Sequence, residues 1–188
     1  DTLVVENSTE LHVETGKTFT PGGTVTTDPS GSSSTKDGDI HIDGTGIMTM
    51  GTNALSVGGD FTNEGTFNKT ASQTTTFTAT STGHVITDGG ENFDNVIFNG
   101  ASGGWSFADS TIIDTDLVIT NGTLSGTNDI TVSGGDVTGD GIINLTGGTF
   151  LVNTAGNFGG ATAWTFYNLT IGAAGNATTT ATGAGGIT

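Results

Sequence analysis

Residues 136–142 of this 188-residue chain read DVTGDGI, the pattern in the sequence with the clearest chemical meaning. Asp136, Thr138 and Asp140 take the first, third and fifth positions and Gly141 the sixth, as at the start of a calcium-binding loop. The twelfth position, where such a loop carries an acidic ligand, is Gly147. The pattern therefore predicts a structural turn, with a calcium site as the alternative.

A second pair of carboxylates, Asp114 and Asp116, flanks Thr115. Alternate residues of a strand point to the same face, so both side chains could hold a divalent cation. A solvated, charged strand face is the competing interpretation. We therefore expect no cofactor, with calcium at Asp114, Asp116, Asp136 and Asp140 as the alternative.

The aspartate pattern also occurs earlier in the chain, which favours a structural turn. Residues 58–70 and 134–146 align without gaps and are identical at seven of thirteen positions, with Glu64 in place of Asp140. Glycine tolerates backbone conformations that other residues avoid, so its recurrence marks corners of the chain. The predicted structural-turn residues are Gly58, Gly59, Asp60, Gly65, Gly134, Gly135 and Gly141.

Catalysis is not expected from this set of side chains. Nineteen carboxylates could act as acids or bases, but arginine is absent and the few basic side chains are dispersed along the sequence. They are Lys17, Lys36, Lys69, His12, His41 and His84. Apolar neighbours flank His12 and His41, so we expect both to lie mid-strand and face outward. A polysaccharide-active enzyme, which needs acids gathered in a groove with a Lys or His, is kept as an alternative.

Threonine and tryptophan bear on a binding function. Threonine takes alternate positions in residues 74–80 and 178–182, which resembles the flat threonine arrays of ice-binding solenoids. Several adjacent turns must share such a pattern, and ordinary strand propensity is the competing interpretation. We expect Trp105 and Trp164 to fill the interior rather than a sugar-stacking surface. A module that binds glycans or ice is therefore an alternative function.

Six Asn-X-Ser/Thr triplets could carry glycans in a secreted chain. They begin at Asn7, Asn68, Asn121, Asn144, Asn168 and Asn176. Such triplets also arise by chance in a chain with 40 threonines, and ladders of stacked corner asparagines are the alternative.

The elements that position these residues are predicted to be strands. The 33 glycines and 40 threonines oppose helices, glycine through backbone entropy and threonine through its branched Cβ. Short apolar alternations, each closed by Gly, Asn or Asp, predict strands instead. They occupy residues 3–5, 11–13, 40–42, 96–98, 117–119, 130–132, 142–143 and 150–152.

The spacing of these strands predicts the fold. Apolar centres recur about every six residues between Phe107 and Ile143, and internal matches lie 76, 77 and 114 residues apart, close to multiples of 19. We expect an all-β parallel β-helix, or β-solenoid, with right-handed coils, about 19 residues per turn and about ten turns. A β-sandwich, which also uses short strands, is the alternative.

Over its whole length the chain resembles the tandem-repeat β-solenoid shafts of large bacterial surface proteins, the filamentous-haemagglutinin-type adhesins and autotransporter passenger domains. GGDFTNEGTF at residues 58–67 and FYNLTIG at residues 166–172 carry this resemblance. It implies secretion, a place at the cell surface and no catalysis, and it supplies no functional residues. The expected function is a non-enzymatic extracellular shaft or filament that supports adhesion or cell-cell contact.

The net charge of −16 limits the partners. It repels phosphates, so we expect no nucleic-acid partner. Apolar runs fall short of the ~20 residues that cross a bilayer, so we expect no membrane insertion. The expected partners are the protein itself, end to end or as neighbouring repeats of a longer chain, and surface glycans.

We expect one solenoid segment over residues 1–188, in three sections. Residues 1–38 form the first turns, with a flexible loop at 28–38 that reads DPSGSSSTKDG. Residues 39–115 are the first repeat copy and residues 116–188 the second, which is truncated. Because both ends fall directly at strands, we expect a segment of a longer shaft or a subunit that stacks end to end.

Overall fold

A computed structural model describes residues 1–6, 9–30, 37–172, 180–181 and 185–187. These residues contain 21 β-strands and no helix, so none of them forms a helix that could cross a membrane. The strands are β1 (Thr2–Val5), β2 (Leu11–Val13), β3 (Thr18–Phe19), β4 (Thr24–Thr27), β5 (Ile40–Ile42), β6 (Ile47–Gly51), β7 (Leu55–Val57), β8 (Phe61–Asn63), β9 (Thr66–Lys69), β10 (Thr74–Phe77), β11 (His84–Thr87), β12 (Asn95–Phe107), β13 (Thr111–Ile113), β14 (Leu117–Gly126), β15 (Ile130–Val132), β16 (Val137–Thr138), β17 (Ile142–Leu145), β18 (Thr149–Val152), β19 (Asn157–Gly159), β20 (Asn168–Ile171) and β21 (Thr180–Ala181).

The strands stack into three faces of one continuous coil. Face 1 contains β1, β4, β7, β10, the first parts of β12 and β14, β16, β19 and β21. Face 2 contains β2, β5, β8, β11, the second parts of β12 and β14, and β17. Face 3 contains β3, β6 and β9, then β13, β15, β18 and β20. Every strand pair among the described residues is parallel, which confirms the β-solenoid and excludes the sandwich.

The coil length is close to the predicted value, and there are slightly fewer coils than predicted. Paired residues of adjacent coils are 21 apart at Thr74 and Asn95 on face 1, and 19 apart at Thr111 and Ile130 on face 3, so a regular coil has about 19 to 21 residues. Face 1 stacks nine strand segments, so the solenoid makes about eight turns. The predicted architecture and a coil of about 19 residues are therefore confirmed, and the predicted ten turns are corrected to about eight.

The internal sequence repeat does not follow whole coils. Residues 58–70 contain β8 and β9 on faces 2 and 3, whereas residues 134–146 contain β16 and β17 on faces 1 and 2. The sequence match therefore relates two strand-and-corner units that lie on different faces and have similar residue types. Strands from residues 1–38, 39–115 and 116–188 share the same faces, and the division into these sections stays a prediction.

The interior is narrow and aromatic. Side chains from the three faces meet on the coil axis, where the Phe93 ring lies 5.6 Å from that of Phe61 and 6.0 Å from that of Phe77, centroid to centroid. Trp105 and Trp164 are each 1% exposed, which confirms that the indoles fill the interior. Burial of these large apolar surfaces, at about 25 cal/mol per Å², holds the three faces together.

The predicted strands all fall inside observed ones, since both follow from alternating apolar residues. The predicted loop at residues 28–38 lies between β4 and β5, and residues 31–36 of it are outside the described part of the chain. Face 1 passes from Val25 directly to its neighbour Leu55, so this coil has 30 residues. The loop is thus an insertion into one coil of an otherwise regular stack.

Candidate functional site

Aspartates that precede strands connect successive coils. The carboxylate of Asp116 accepts the backbone N–H of Asp136, one coil on, at 2.7 Å, and that of Asp136 accepts the N–H of Asn157 at 2.8 Å. Asp39 accepts the N–H of Asp60 in the same way, at 2.7 Å. Each carboxylate thereby satisfies a backbone donor at a corner, where the strand ladder is interrupted.

The four aspartates predicted to bind calcium form no group of three close ligands among the described residues. The Asp114 oxygens contact the Lys69 ammonium group at 3.3 Å and the Asn92 amide at 2.9 Å. Asp140 is exposed on the wall of an open groove of about 320 Å³. Calcium binding at these positions stays a prediction.

The predicted turn glycines lie where one coil closely approaches the next. A Cβ on Gly58 would stand 1.7 Å from the carbonyl oxygen of Asp28, and one on Gly65 would stand 2.3 Å from that of Asp43. Gly135 additionally has φ of +61°, in the region that favours glycine. A Cβ would also come within 2.5 Å of another atom at Gly59, Gly134 and Gly141. These corners therefore need glycine for space.

The asparagines of the predicted glycosylation triplets lie on the surface wherever they are described. Asn68, Asn121, Asn144 and Asn168 are exposed, and Asn7 and Asn176 lie outside the described residues. Asn121 donates to the Asn99 side-chain oxygen at 2.9 Å, one coil away, as in an asparagine ladder. Glycosylation stays a prediction.

Threonine is not repeated regularly on face 1. The register places Thr26, Ser56, Thr76, Ile97 and Val118 at the same outward position of successive coils. Three hydroxyl groups are thus followed by two apolar side chains, which does not favour a flat ice-binding array. The second predicted array, residues 178–182, falls largely outside the described residues.

Two histidines that are far apart in the sequence meet on face 2. Strands β2 and β5 pair His12 directly with His41. Their rings stack with centroids 4.9 Å apart and planes inclined by 14°. The two side chains are 36% and 28% exposed, so their predicted outward orientation is confirmed. His12 and His41 are thus dispersed along the sequence but adjacent in the fold, because the parallel stack pairs the two strands directly.

Carboxylates surround the two imidazole rings. His12 Nε2 lies 2.8 Å from Asp43 Oδ1, and His41 Nε2 lies 3.6 Å from the same oxygen. Glu64, in the next coil, places its Oε2 3.8 Å from His41 Nε2, and Glu10 places its Oε1 3.7 Å from His12 Nδ1. We call His12, His41 and Asp43 the histidine cluster.

The two sides of the histidine cluster differ in their hydrogen bonds. The side-chain hydrogen bond with His12, followed by the backbone N–H of Thr15 at 3.0 Å, holds the pKa of the Asp43 carboxyl below its ordinary value. His41 Nε2 is buried and has no hydrogen-bond partner among the described residues. Within that part of the chain, no other three His, Asp or Glu ligand atoms lie within 4.8 Å of one another. The histidine cluster is thus the one arrangement there that could hold a metal ion.

A further set of side chains has the connectivity of a serine-hydrolase triad. His84 Nδ1 lies 3.0 Å from Asp60 Oδ1, and His84 Nε2 lies 2.9 Å from Ser81 Oγ. The carboxylate favours the Nδ1–H tautomer, so the serine hydroxyl donates to Nε2. His84 is 0% exposed, and Asp60 also accepts the N–H of Val85 at 3.1 Å. Since the imidazole is enclosed by protein, we interpret this set as a structural link between β8 and β11.

Comparison of the chain with protein-family models, with curated proteins and with solved structures gave no match. The function must therefore be inferred from the fold and from the side-chain geometry. Coil stacking and the histidine cluster are the two features of the described residues that point to a role.

The sequence did contain a signal for the histidine cluster. Leu11-His12-Val13 and Ile40-His41-Ile42 repeat one apolar-His-apolar pattern, which places both rings at the same strand position. The two histidines are 29 residues apart, however, and the regular coil has about 19 to 21. The inserted loop at residues 28–38 accounts for the difference, and it conceals the pairing from any search for a constant period.

Proposed function

We propose that the protein is a non-enzymatic structural shaft at a microbial cell surface, where it supports adhesion or cell-cell contact. One observation carries this proposal, the stack of about eight parallel coils in register. Coils about 4.8 Å apart make a rod of roughly 40 Å. Each coil buries its apolar side chains against the coils next to it, so such a rod is stiff and can be lengthened by adding coils.

Two further features support an extracellular shaft. The sequence segments at residues 58–67 and 166–172 resemble those of secreted bacterial solenoids. The net charge of −16 suits a solvated rod that repels similar rods. The indoles that could form a sugar-stacking surface are buried at Trp105 and Trp164. The proposed role is therefore mechanical, and specific recognition of a glycan is a weaker candidate.

The outermost described strands favour assembly along the axis. β1, β2 and β3 each pair with one described strand, as do β20 and β21. Leu3 is 39% exposed, whereas its neighbour Val25, one coil on, is fully buried. At the opposite end Ile171 is 48% exposed. A further coil, from a second copy or from a neighbouring repeat, would pair these edges and cover these side chains.

Electron microscopy of the purified chain tests the stacking. We expect rods that join end to end. Leu3→Asp places a charge at an inward position of the open edge and should leave the rods separate. Val4→Asp places the same charge on the same strand, at an outward position, and should leave the joining intact. Equal behaviour of the two variants would contradict end-to-end stacking.

Electron microscopy of labelled cells tests whether the protein lies at the cell surface. Gold-labelled antibodies against the chain should mark the outer surface of intact cells that make it. If the label binds only after the cells are permeabilised, the protein is not extracellular, whether or not the purified rods join end to end.

A further inference from the structure

Three ligand atoms converge on the outward side of face 2, from two adjacent strands and the corner after the second. They are a ring nitrogen of His12, a ring nitrogen of His41 and a carboxylate oxygen of Asp43, all within 4.8 Å of one another. We propose that the histidine cluster binds a transition-metal ion, and that the ion is zinc. This proposal is independent of the proposed shaft function.

The donor types decide the class of metal. Neutral imidazole nitrogens suit zinc, copper and nickel, and zinc commonly combines two histidines with a carboxylate. Calcium and magnesium take oxygen ligands almost exclusively. The histidine cluster is therefore chemically distinct from the calcium site predicted at Asp114, Asp116, Asp136 and Asp140.

The observed distances are close to those that a tetrahedral ion requires. Zinc–ligand bonds of about 2.0–2.2 Å place neighbouring ligand atoms about 3.3 Å apart. The two Nε2 atoms lie 2.8 Å and 3.6 Å from Asp43 Oδ1, on either side of that value. The register of β2 and β5 fixes the backbone beneath both rings, so side-chain rotation alone would seat the ion.

Few existing interactions oppose metal binding. An ion between His12 Nε2 and Asp43 would replace the proton of their hydrogen bond, and the neutral imidazole would then carry its N–H on Nδ1, beside Glu10. His41 Nε2 has no hydrogen bond to lose among the described residues. The carboxylates of Glu10 and Glu64, within 3.7 Å and 3.8 Å of the rings, add negative potential. Glu64 is 62% exposed and free to swing in as a fourth ligand.

Metal binding would fasten the first two coils together. His12 belongs to β2, and His41 and Asp43 belong to β5 and the corner that follows it. The inserted loop at residues 28–38 separates these two strands in the chain. A bound ion would therefore act as a clip across the insertion and stabilise the folded state by mass action.

Zinc titration of the full chain, read by competition with a chromophoric chelator, tests the proposal. We expect one zinc per chain, and a loss of affinity of roughly tenfold or more in His12→Ala, in His41→Ala and in the nearly isosteric Asp43→Asn. Asp140→Asn, which changes an exposed aspartate of the predicted calcium loop, is the matched control and should bind zinc like the wild type. Zinc should also raise the melting temperature of the wild type and of Asp140→Asn but not of the two histidine variants.

Circular dichroism of each variant without metal checks that the solenoid is retained, as expected for exposed and half-buried positions. The assignment would be overturned by any of three results. These are no saturable zinc binding by the wild type, wild-type affinity in both histidine variants, or equal losses in Asp140→Asn and the histidine variants.

Discussion

The pKa values of aspartate side chains are shifted in opposite directions in this molecule because their surroundings differ. Burial, and then the nearby charge of Asp60, raise the pKa of Asp39 to about 6, although the backbone N–H of Asp60 opposes the shift. The hydrogen bond with His12 lowers the pKa of Asp43. Burial also raises the pKa of Asp88, which is 2% exposed. Corner aspartates thus contribute hydrogen bonds between coils. The free-energy cost of keeping each carboxylate charged depends on how deeply the side chain is buried.

Asp39 makes stability depend on pH in a predictable direction. The ordinary pKa is 3.8 and the folded value about 6, so the folded state binds more protons between these limits. The contribution of Asp39 to stability should therefore fall as pH rises from about 4 to about 6, and then stay level. Asp39→Asn keeps an oxygen for the Asp60 N–H and removes the charge. We expect it to be about 1 kcal/mol more stable than the wild type at pH 7, after allowance for solvent screening.

Urea unfolding of both proteins at several pH values between 4 and 7 measures this effect. Asp88 contributes to both profiles, so the difference between them isolates Asp39. The exposed variant Asp140→Asn should run parallel to the wild type. If the unfolding free energy of Asp39→Asn changes with pH in the same way as that of the wild type, then the charge of buried Asp39 does not destabilise the folded state.

The basic element of the structure is a short strand followed by a tight corner. The strands supply alternating inward side chains, and the corners bring backbone atoms of one coil against those of the next. Gly65 shows how close that approach is, because a Cβ there would stand 2.3 Å from the Asp43 carbonyl oxygen and 2.4 Å from that of Gly46. Corners therefore limit sequence variation more strictly than strands do.

A pair of glycine substitutions tests this difference. Gly65→Ala should destabilise the protein by about 2 kcal/mol, because backbone atoms must move to admit the methyl group. Gly44, in the equivalent corner one coil earlier, would place a Cβ 3.6 Å from the Glu64 carbonyl oxygen, an ordinary contact. Gly44→Ala should therefore change stability by at most about 0.5 kcal/mol. Urea unfolding measures both, and similar losses in the two variants would refute the steric explanation.

At the scale of the whole molecule, the protein is a short, acidic rod. Sixteen net negative charges repel neighbouring rods at low ionic strength. Divalent cations that bridge carboxylates on adjacent rods would reverse this repulsion. We therefore expect ions to control side-by-side association, and strand edges and apolar side chains to control the proposed end-to-end contact.

Light scattering at low salt tests ion-controlled association. We expect millimolar calcium to increase the scattered intensity, whereas sodium chloride of the same ionic strength should have a much smaller effect. No difference with and without calcium would reject calcium bridging between rods.

Much of the fold followed from the sequence because it depends on local preferences. Glycine and threonine disfavour helices, alternating apolar residues such as Leu117 and Ile119 mark strands, and Gly-Gly-Asp marks corners. Repetition of such units in one chain is enough to predict a parallel stack. The glycines at the predicted turns, including Gly58 and Gly135, do lie where space or backbone angle requires glycine.

Only the tertiary structure decided which units lie next to each other. The neighbour of His12 is His41 because the inserted loop lengthens one coil, and Asp60 meets His84 because the register of β8 and β11 brings them together. Both contacts depend on the number of residues in every intervening corner, which no local preference encodes. The sequence alone thus determined a stack of strands and corners, whereas the contacts that could bind a metal ion arose from long-range register.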